Sequence, residues 1–159
     1  MKVTILAVGR LKDGPERSLV ARYLERSRDA GKSLGFTGFD VLELPESRAS
    51  RPIDRKAEEA RALLGRTEAG IIVALDETGK SPKSDAFAQL NEGWRDSGAR
   101  NLYYIIGGAD GLDATLVQKA DLALAFGAMT LPHQIARIVL SEQLYRTMTL
   151  LAGHPYHRA

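Results

Sequence analysis

Gly70-Ile71-Ile72-Val73-Ala74-Leu75 is the stretch on which the reading of this chain turns. An unbroken apolar run rich in β-branched residues follows a glycine and gives way to the polar Asp76-Glu77-Thr78-Gly79-Lys80. A run with no alternation fits a strand buried on both faces, and such strands belong to parallel sheets covered by helices. The polar stretch predicts a turn that ends the strand.

Upstream, Val3 to Val8 reads as a buried strand closed by Gly9, and Asp13-Gly14-Pro15 as a helix start with proline in the first turn. Leu19, Val20, Tyr23 and Leu24 give that helix its apolar stripe. Phe39, Val41 and Leu42 to Leu44 predict a second strand stopped by Pro45. The polar, basic segment Glu46 to Arg55, with Arg48, Arg51 and Arg55, reads as a loop leading into a helix from about Ile53 to Leu64. Downstream, Ser84 is placed to cap a helix carrying Phe87, Leu90 and Trp94. Leu102 to Ile106 is the next strand, followed by a short helix near Ala114 to Lys119. Leu122 to Phe126 is the fifth strand, and the last helix runs from about Gln134 to Leu151. Strands alternate with helices throughout, so the expected fold is α/β, a mostly parallel sheet with helices on both faces. No repeat or linker divides the 159 residues, which suit one domain.

With 44% hydrophobic residues the chain can bury a core, and 26% charged residues is ordinary for a soluble protein. No cysteine is present, which excludes disulfides and thiolate metal sites and suits a reducing cytoplasm. The N-terminal apolar run is too short for a signal peptide, and no run approaches a membrane span, so no membrane partner is expected. A net charge of +2 leans only weakly toward a polyanionic partner.

In open α/β sheets ligands bind beyond the carboxyl ends of the strands. Three such ends stand out: Leu75 to Lys80, Ile106-Gly107-Gly108-Ala109-Asp110-Gly111, and Phe126-Gly127-Ala128-Met129-Thr130-Leu131-Pro132-His133. Singly, each glycine is an ordinary tight turn; together they suggest backbone drawn close to a ligand. The spacing G-G-x-x-G on a late strand is not the dinucleotide fingerprint, and Gly79-Lys80-Ser81 lacks the earlier glycine of a phosphate loop. All three histidines, His133, His154 and His157, lie in the last sixth of the chain. Metal binding is not expected: no Glu sits inside the His154–His157 pair and Pro155 opposes a helix there. Instead Tyr156, His157 and Arg158 read as an RNA contact, since aromatic and imidazole rings stack on bases and arginine holds phosphate. The last helix has one apolar stripe of Leu140, Leu144, Met148 and Leu151, extended by Ile135, Ile138 and Val139. The surplus is either core or a dimer face. Glu142 and Arg146 are spaced for an i,i+4 pair.

Taken together, Leu75-Asp76 with Gly79-Lys80, Ile106-Gly107-Gly108 with Gly111, Met129 to His133, Glu142-Gln143-Leu144-Tyr145-Arg146 and Pro155-Tyr156-His157-Arg158 resemble the ribosomal RNA large subunit methyltransferase H family of SPOUT methyltransferases. The likeness covers essentially the whole length. It implies a C-terminal trefoil knot over about 70–159 within a single 1–159 domain, a homodimer, and S-adenosylmethionine (SAM) as methyl donor. The implied acceptor is N3 of a pseudouridine in the helix 69 loop of 23S rRNA, in the assembled ribosome. SAM contacts carry over onto Leu75, Gly108, Gly127, Ala128, Met129, Thr130, Leu131 and Pro132. Many relatives have serine where this chain has Gly127, which leaves a backbone contact there. A side chain at Gly108 is expected to intrude on the ligand.

Chemistry agrees with the assignment. A cationic sulfonium needs a neutral or anionic acceptor aligned behind the methyl, and the N3–H of a pseudouridine must lose its proton. His133, His157 and Glu142 are candidates by type for the base, while Arg137, Arg146 and Arg158 are placed to steady charge. Two other classes remain open from sequence: a nucleotide-binding oxidoreductase, opposed by the missing glycine fingerprint, and a non-catalytic ribosome-binding or assembly factor on the same scaffold.

Overall fold

In the computed structural model residues 1–157 are described, His157 by its backbone alone. The elements follow in the order β1 (Lys2–Val8), α1 (Pro15–Gly31), β2 (Gly38–Leu44), α2 (Pro52–Leu64), β3 (Ile71–Lys80), α3 (Ser84–Asp96), β4 (Asn101–Ile106), α4 (Ala114–Lys119), β5 (Leu122–Leu124) and α5 (His133–Leu151). A 3-10 turn at Lys32–Leu34 closes α1 and another at Pro155–His157 follows α5. The five strands form one sheet in the order β2-β1-β4-β3-β5, and every pairing is parallel.

Successive side chains of a strand point to opposite faces, and here both faces are apolar. Val3, Ile5 and Ala7 of β1 with Leu102, Tyr104 and Ile106 of β4 pack under α1, α3 and α5, against Leu24, Phe87, Leu140, Leu144 and Met148. Leu6, Val8, Tyr103 and Ile105 face the other way, onto Ala60 and Leu63 of α2 and Leu116 of α4. One polar pair is sealed in the first layer: the Tyr104 hydroxyl donates to Asn91 Oδ1 at 2.8 Å, and burial raises that phenol far above its ordinary pKa.

The structure corrects three expectations and decides part of one that the sequence leaves open. β3 does not stop at Leu75. Leu124 of β5 pairs with both Leu75 and Lys80, so Asp76–Gly79 bulges out and the strand resumes. The bulge holds itself, Asp76 Oδ1 accepting from Thr78 N at 2.9 Å and from its hydroxyl at 2.5 Å. It also requires glycine, because a Cβ on Gly79 would lie 2.5 Å from the Ala123 carbonyl carbon. Second, Ser84 does not cap α3; it is the helix's first residue and its hydroxyl donates to Gln143 Oε1 at 2.8 Å. Third, Ile138 packs on the core, leaving Ile135 as the exposed member of the extra stripe of α5. Fourth, Arg137 is fully buried, with Nη1 on Glu43 at 2.5 Å and Nη2 donating to the Gly9 carbonyl at 3.1 Å. It clamps the ends of β1 and β2 onto α5 and has no surface with which to steady a substrate. Among the described residues no helix is long and apolar enough to cross a membrane.

Candidate active site

Because all five strands run in parallel, their carboxyl ends share one edge of the sheet. There the loops after β4 and β5 and the bulge of β3 enclose a cavity of about 740 Å³. Its wall is Leu75–Glu77, Ile106–Leu112, Leu124–Gly127 and Met129–His133, with Lys56 and Ala136 from α2 and α5. The three strand ends singled out in the sequence thus meet in one place.

Each loop is fixed by a different device. In the loop after β4 the backbone folds on itself: Gly111 N donates to the Gly108 carbonyl at 3.0 Å, and a Cβ on Gly107 would stand 2.7 Å from the Gly111 carbonyl carbon. Asp110 anchors its tip through a two-pronged pair with Arg55 of α2, Nε–Oδ2 2.6 Å and Nη2–Oδ1 3.0 Å. The hydrogen bonds from that guanidinium hold the Asp110 carboxyl below its usual range. The loop after β5 is tied to the β3 bulge, Thr130 Oγ1 donating to Glu77 Oε2 at 3.0 Å. It then enters α5 at His133, behind Pro132. The walls offer Leu75, Ile106, Leu124, Phe126 and Leu131, open backbone, and three carboxylates (Asp76, Glu77, Asp110) against one lysine. Such a site suits an elongated small molecule with an apolar planar part and a cationic centre.

Of the residues singled out as ligand contacts, Leu75, Gly108, Gly127, Met129, Thr130, Leu131 and Pro132 line the cavity, as does His133; Ala128 lies in the same loop but outside the wall. The expectation for a side chain at Gly108 is corrected. Its Cβ would point away from the cavity, 3.1 Å from Val8 Cγ1 and 3.2 Å from Glu59 Oε2 of the buried α2 face. Gly108 therefore presents backbone, and a larger residue there would disturb α2 first. Gly127 has φ 132 and open space where a Cβ would be.

Glu142 and Tyr156 are not at this cavity. They form a second cluster, well along α5. Glu142 Oε1 accepts from Arg146 at 2.7 Å and from the Tyr156 hydroxyl at 3.3 Å, and Oε2 accepts from Gln143 at 2.7 Å. The Tyr156 ring lies 4.6 Å from that of Tyr145, and the Arg146 guanidinium sits 5.4 Å from its centroid. Partial burial first, then the hydrogen bond to Tyr23 and the Glu142 charge, push the Tyr156 phenol up to about 12. The His157 side chain and Arg158 lie outside the described residues. Sequence reasoning did not find Lys56 or the Arg55–Asp110 anchor. A carboxylate inside a glycine loop and an arginine-rich segment were both visible, but only topology brings them together. No cluster of three His, Cys, Asp or Glu that could hold a metal occurs among the described residues.

The pattern of the family "Predicted SPOUT methyltransferase" matches residues 1–157. The chain is similar to proteins of Bradyrhizobium diazoefficiens (53% identical, 100% of both chains) and Nitrobacter hamburgensis (53%, 99% of both), each named ribosomal RNA large subunit methyltransferase H. Among solved structures it resembles that of a candidate RNA methyltransferase from Bacillus anthracis, with TM-score 0.52 and 14% identity over 98% of this chain and 99% of that one.

Proposed function

The chain belongs to the SPOUT methyltransferases, in the ribosomal RNA large subunit methyltransferase H family, and on that footing we propose that it methylates N3 of a pseudouridine in the helix 69 loop of 23S rRNA, with SAM as donor, as a cytoplasmic homodimer acting on assembled ribosomes. The observation that carries the reading is the convergence of the three glycine-bearing strand ends on one cavity. The cavity fits SAM: apolar walls and open backbone for the adenosine, carboxylates for the cationic end. Leu75, the Gly108 backbone and the Gly127–Pro132 loop would hold it, and SAM when bound supplies an electrophilic methyl. The knotted path over about 70–159 in a single domain is part of the same reading.

The chain's own residues then have three tasks. The loops fix one geometry, so that the acceptor nitrogen meets the methyl in line; such positioning removes much of the barrier. His133, on the wall, offers a ring nitrogen to take the N3 proton, a general-base role that imidazole commonly fills. Glu142 is committed to Arg146, Gln143 and Tyr156, and so orients the tail. The tail's cluster sits about 18 Å from His133 along α5, at 1.5 Å per residue over the dozen residues to Tyr145. Within one subunit it packs on its own helix, which supports its delivery to the cavity of a partner subunit, where Tyr156, His157 and Arg158 would hold the nucleotide.

The test is methyl transfer from labelled SAM to ribosomes lacking the modification, with mapping of the labelled nucleotide. Label at a pseudouridine N3 in the helix 69 loop is the expected result. Binding to ribosomes without transfer would make the chain a non-catalytic factor, and label elsewhere would reject the assigned target.

A further inference from the structure

The cavity accounts for the ends of β3, β4 and β5. The same edge carries the ends of β1 and β2, whose loops, 9–14 and 45–51, have no part in it. At the usual strand spacing of about 4.8 Å, β1 and β2 lie about 10 and 14 Å from β3, the cavity's central strand. Both loops abut its wall. A Cβ on Gly9 would be 3.7 Å from His133 Nε2. Ser47 N donates to Glu59 Oε1 at 3.0 Å, and Glu59 in turn lies under Gly108.

These loops differ from the cavity in charge. Arg10, Lys12 and Arg48 are exposed, and among the described residues none has a carboxylate within 4.0 Å. Of the neighbouring carboxylates, Glu43 is paired with Arg137, Asp54 with Arg51, Asp110 with Arg55 and Asp13 with Arg17 at 3.4 Å; Glu58 and Glu59 accept from Ser47, and Glu46 is exposed. The cavity, where Asp110 is paired with Arg55 and Asp76 and Glu77 face one lysine, offers a polyanion no net positive charge. A base inserted there must leave its backbone outside, and nucleic-acid backbones are held by exposed Arg and Lys.

Resting on the reading of the cavity as a ribosomal RNA methylation site, we propose that this rim carries the phosphodiester backbone flanking the target nucleotide, with Arg10, Lys12 and Arg48 as its phosphate contacts. The cavity selects the base and donor; the rim supplies affinity for the strand and its register.

The experiment compares two triple variants of equal charge change. One is Arg10→Gln, Lys12→Gln, Arg48→Gln. The other is Arg66→Gln, Arg100→Gln, Lys119→Gln, whose exposed side chains lie at the opposite edge, just before β3, β4 and β5. Both are checked for unchanged melting and SAM affinity. For the rim triple, KM for ribosomal particles should rise by about tenfold or more, with kcat held within about twofold. The slope of log binding constant against log salt should flatten by about 2, close to the loss of three phosphate contacts. The control triple should stay near wild type. Equal behaviour of the two triples would overturn the proposal, since net charge alone would then explain any change. Should the wild type bind particles but transfer no methyl, the methylation reading fails, while the binding slopes still judge the rim.

Discussion

The two ends of α5 were equally suggestive as sequence, and they do different things in the fold. At its start, Pro132, His133 and Ala136 stand in the cavity wall. Further along, Glu142, Tyr145 and Arg146 gather the tail through Tyr156 and are turned away from that cavity. The first lines the cavity of this subunit; the second is a cluster closed on itself through Tyr156, away from that cavity. A cluster legible in the sequence can thus fold intact yet lie about 18 Å from the cavity of its own subunit, at the helical rise of 1.5 Å per residue. The homodimer proposed above would bring the second cluster of one copy to the cavity of the other.

The strongest way to break that picture is to remove one end. Deleting from His154 onward should abolish methyl transfer, by a factor of about 10³ or more if the tail both positions the nucleotide and supplies its polar contacts. SAM binding, measured by calorimetry, should remain near wild type because, among the described residues, none of the tail lines the cavity. Filling the cavity with Ala109→Trp, a substitution on its exposed rim, should abolish SAM binding and, with it, methyl transfer. Mixed dimers of the two inactive proteins should regain one working site if the tail acts across the interface. Activity no higher than that of the parents would place the tail's action within its own subunit.

A second contrast lies in the two arginines of α5. Arg137 is fully buried against Glu43 and the Gly9 carbonyl, whereas Arg146 keeps 28% of its side chain exposed beside Glu142. Truncating one partner of a buried pair strands the other charge, so Arg137→Ala should cost about 3–5 kcal/mol of unfolding free energy. Arg146→Ala should cost about 1 kcal/mol or less while lowering transfer through the loosened tail. Denaturant titrations measure both. A similar loss for the two would mean that the tail cluster is as structural as the buried clamp.

How much of this was legible follows from range. The five strands were readable because local apolar runs declare both-face burial, and the three glycine-bearing ends because parallel strands must end together. The β3 bulge was not, since it depends on Leu124 pairing twice across a strand that sequence cannot place. Arg137 reads as a surface cation from its residue type; only β1 and β2 closing over α5 reveal it as a clamp. Gly108 lies on the cavity wall, but the direction of its missing side chain depends on α2 lying behind it. Glu142, a candidate base by residue type, lies nine residues along α5 from His133, and at about 1.5 Å per residue that places it off the cavity wall.

The smallest expected effect concerns the loop that the cavity shares with α2. Asp110 is held to Arg55 by two hydrogen bonds, and these keep its carboxyl below the ordinary range. A folded-state pKa below the unfolded value means that the contribution is complete above about pH 4, the usual aspartate pKa, and fades as pH falls through the depressed value. Asp110→Asn should therefore weaken SAM binding a few-fold at neutral pH by loosening the Gly107–Gly111 loop. The difference in melting temperature between wild type and variant should hold from pH 7 to about 5 and close as pH falls below about 4. Parallel melting scans across that range decide it. A gap that persists undiminished into acid would show that Asp110 acts through shape rather than charge. The loop's order would then be intrinsic to its glycines, and the tail cluster of α5 would be the more strongly charge-determined of the two regions.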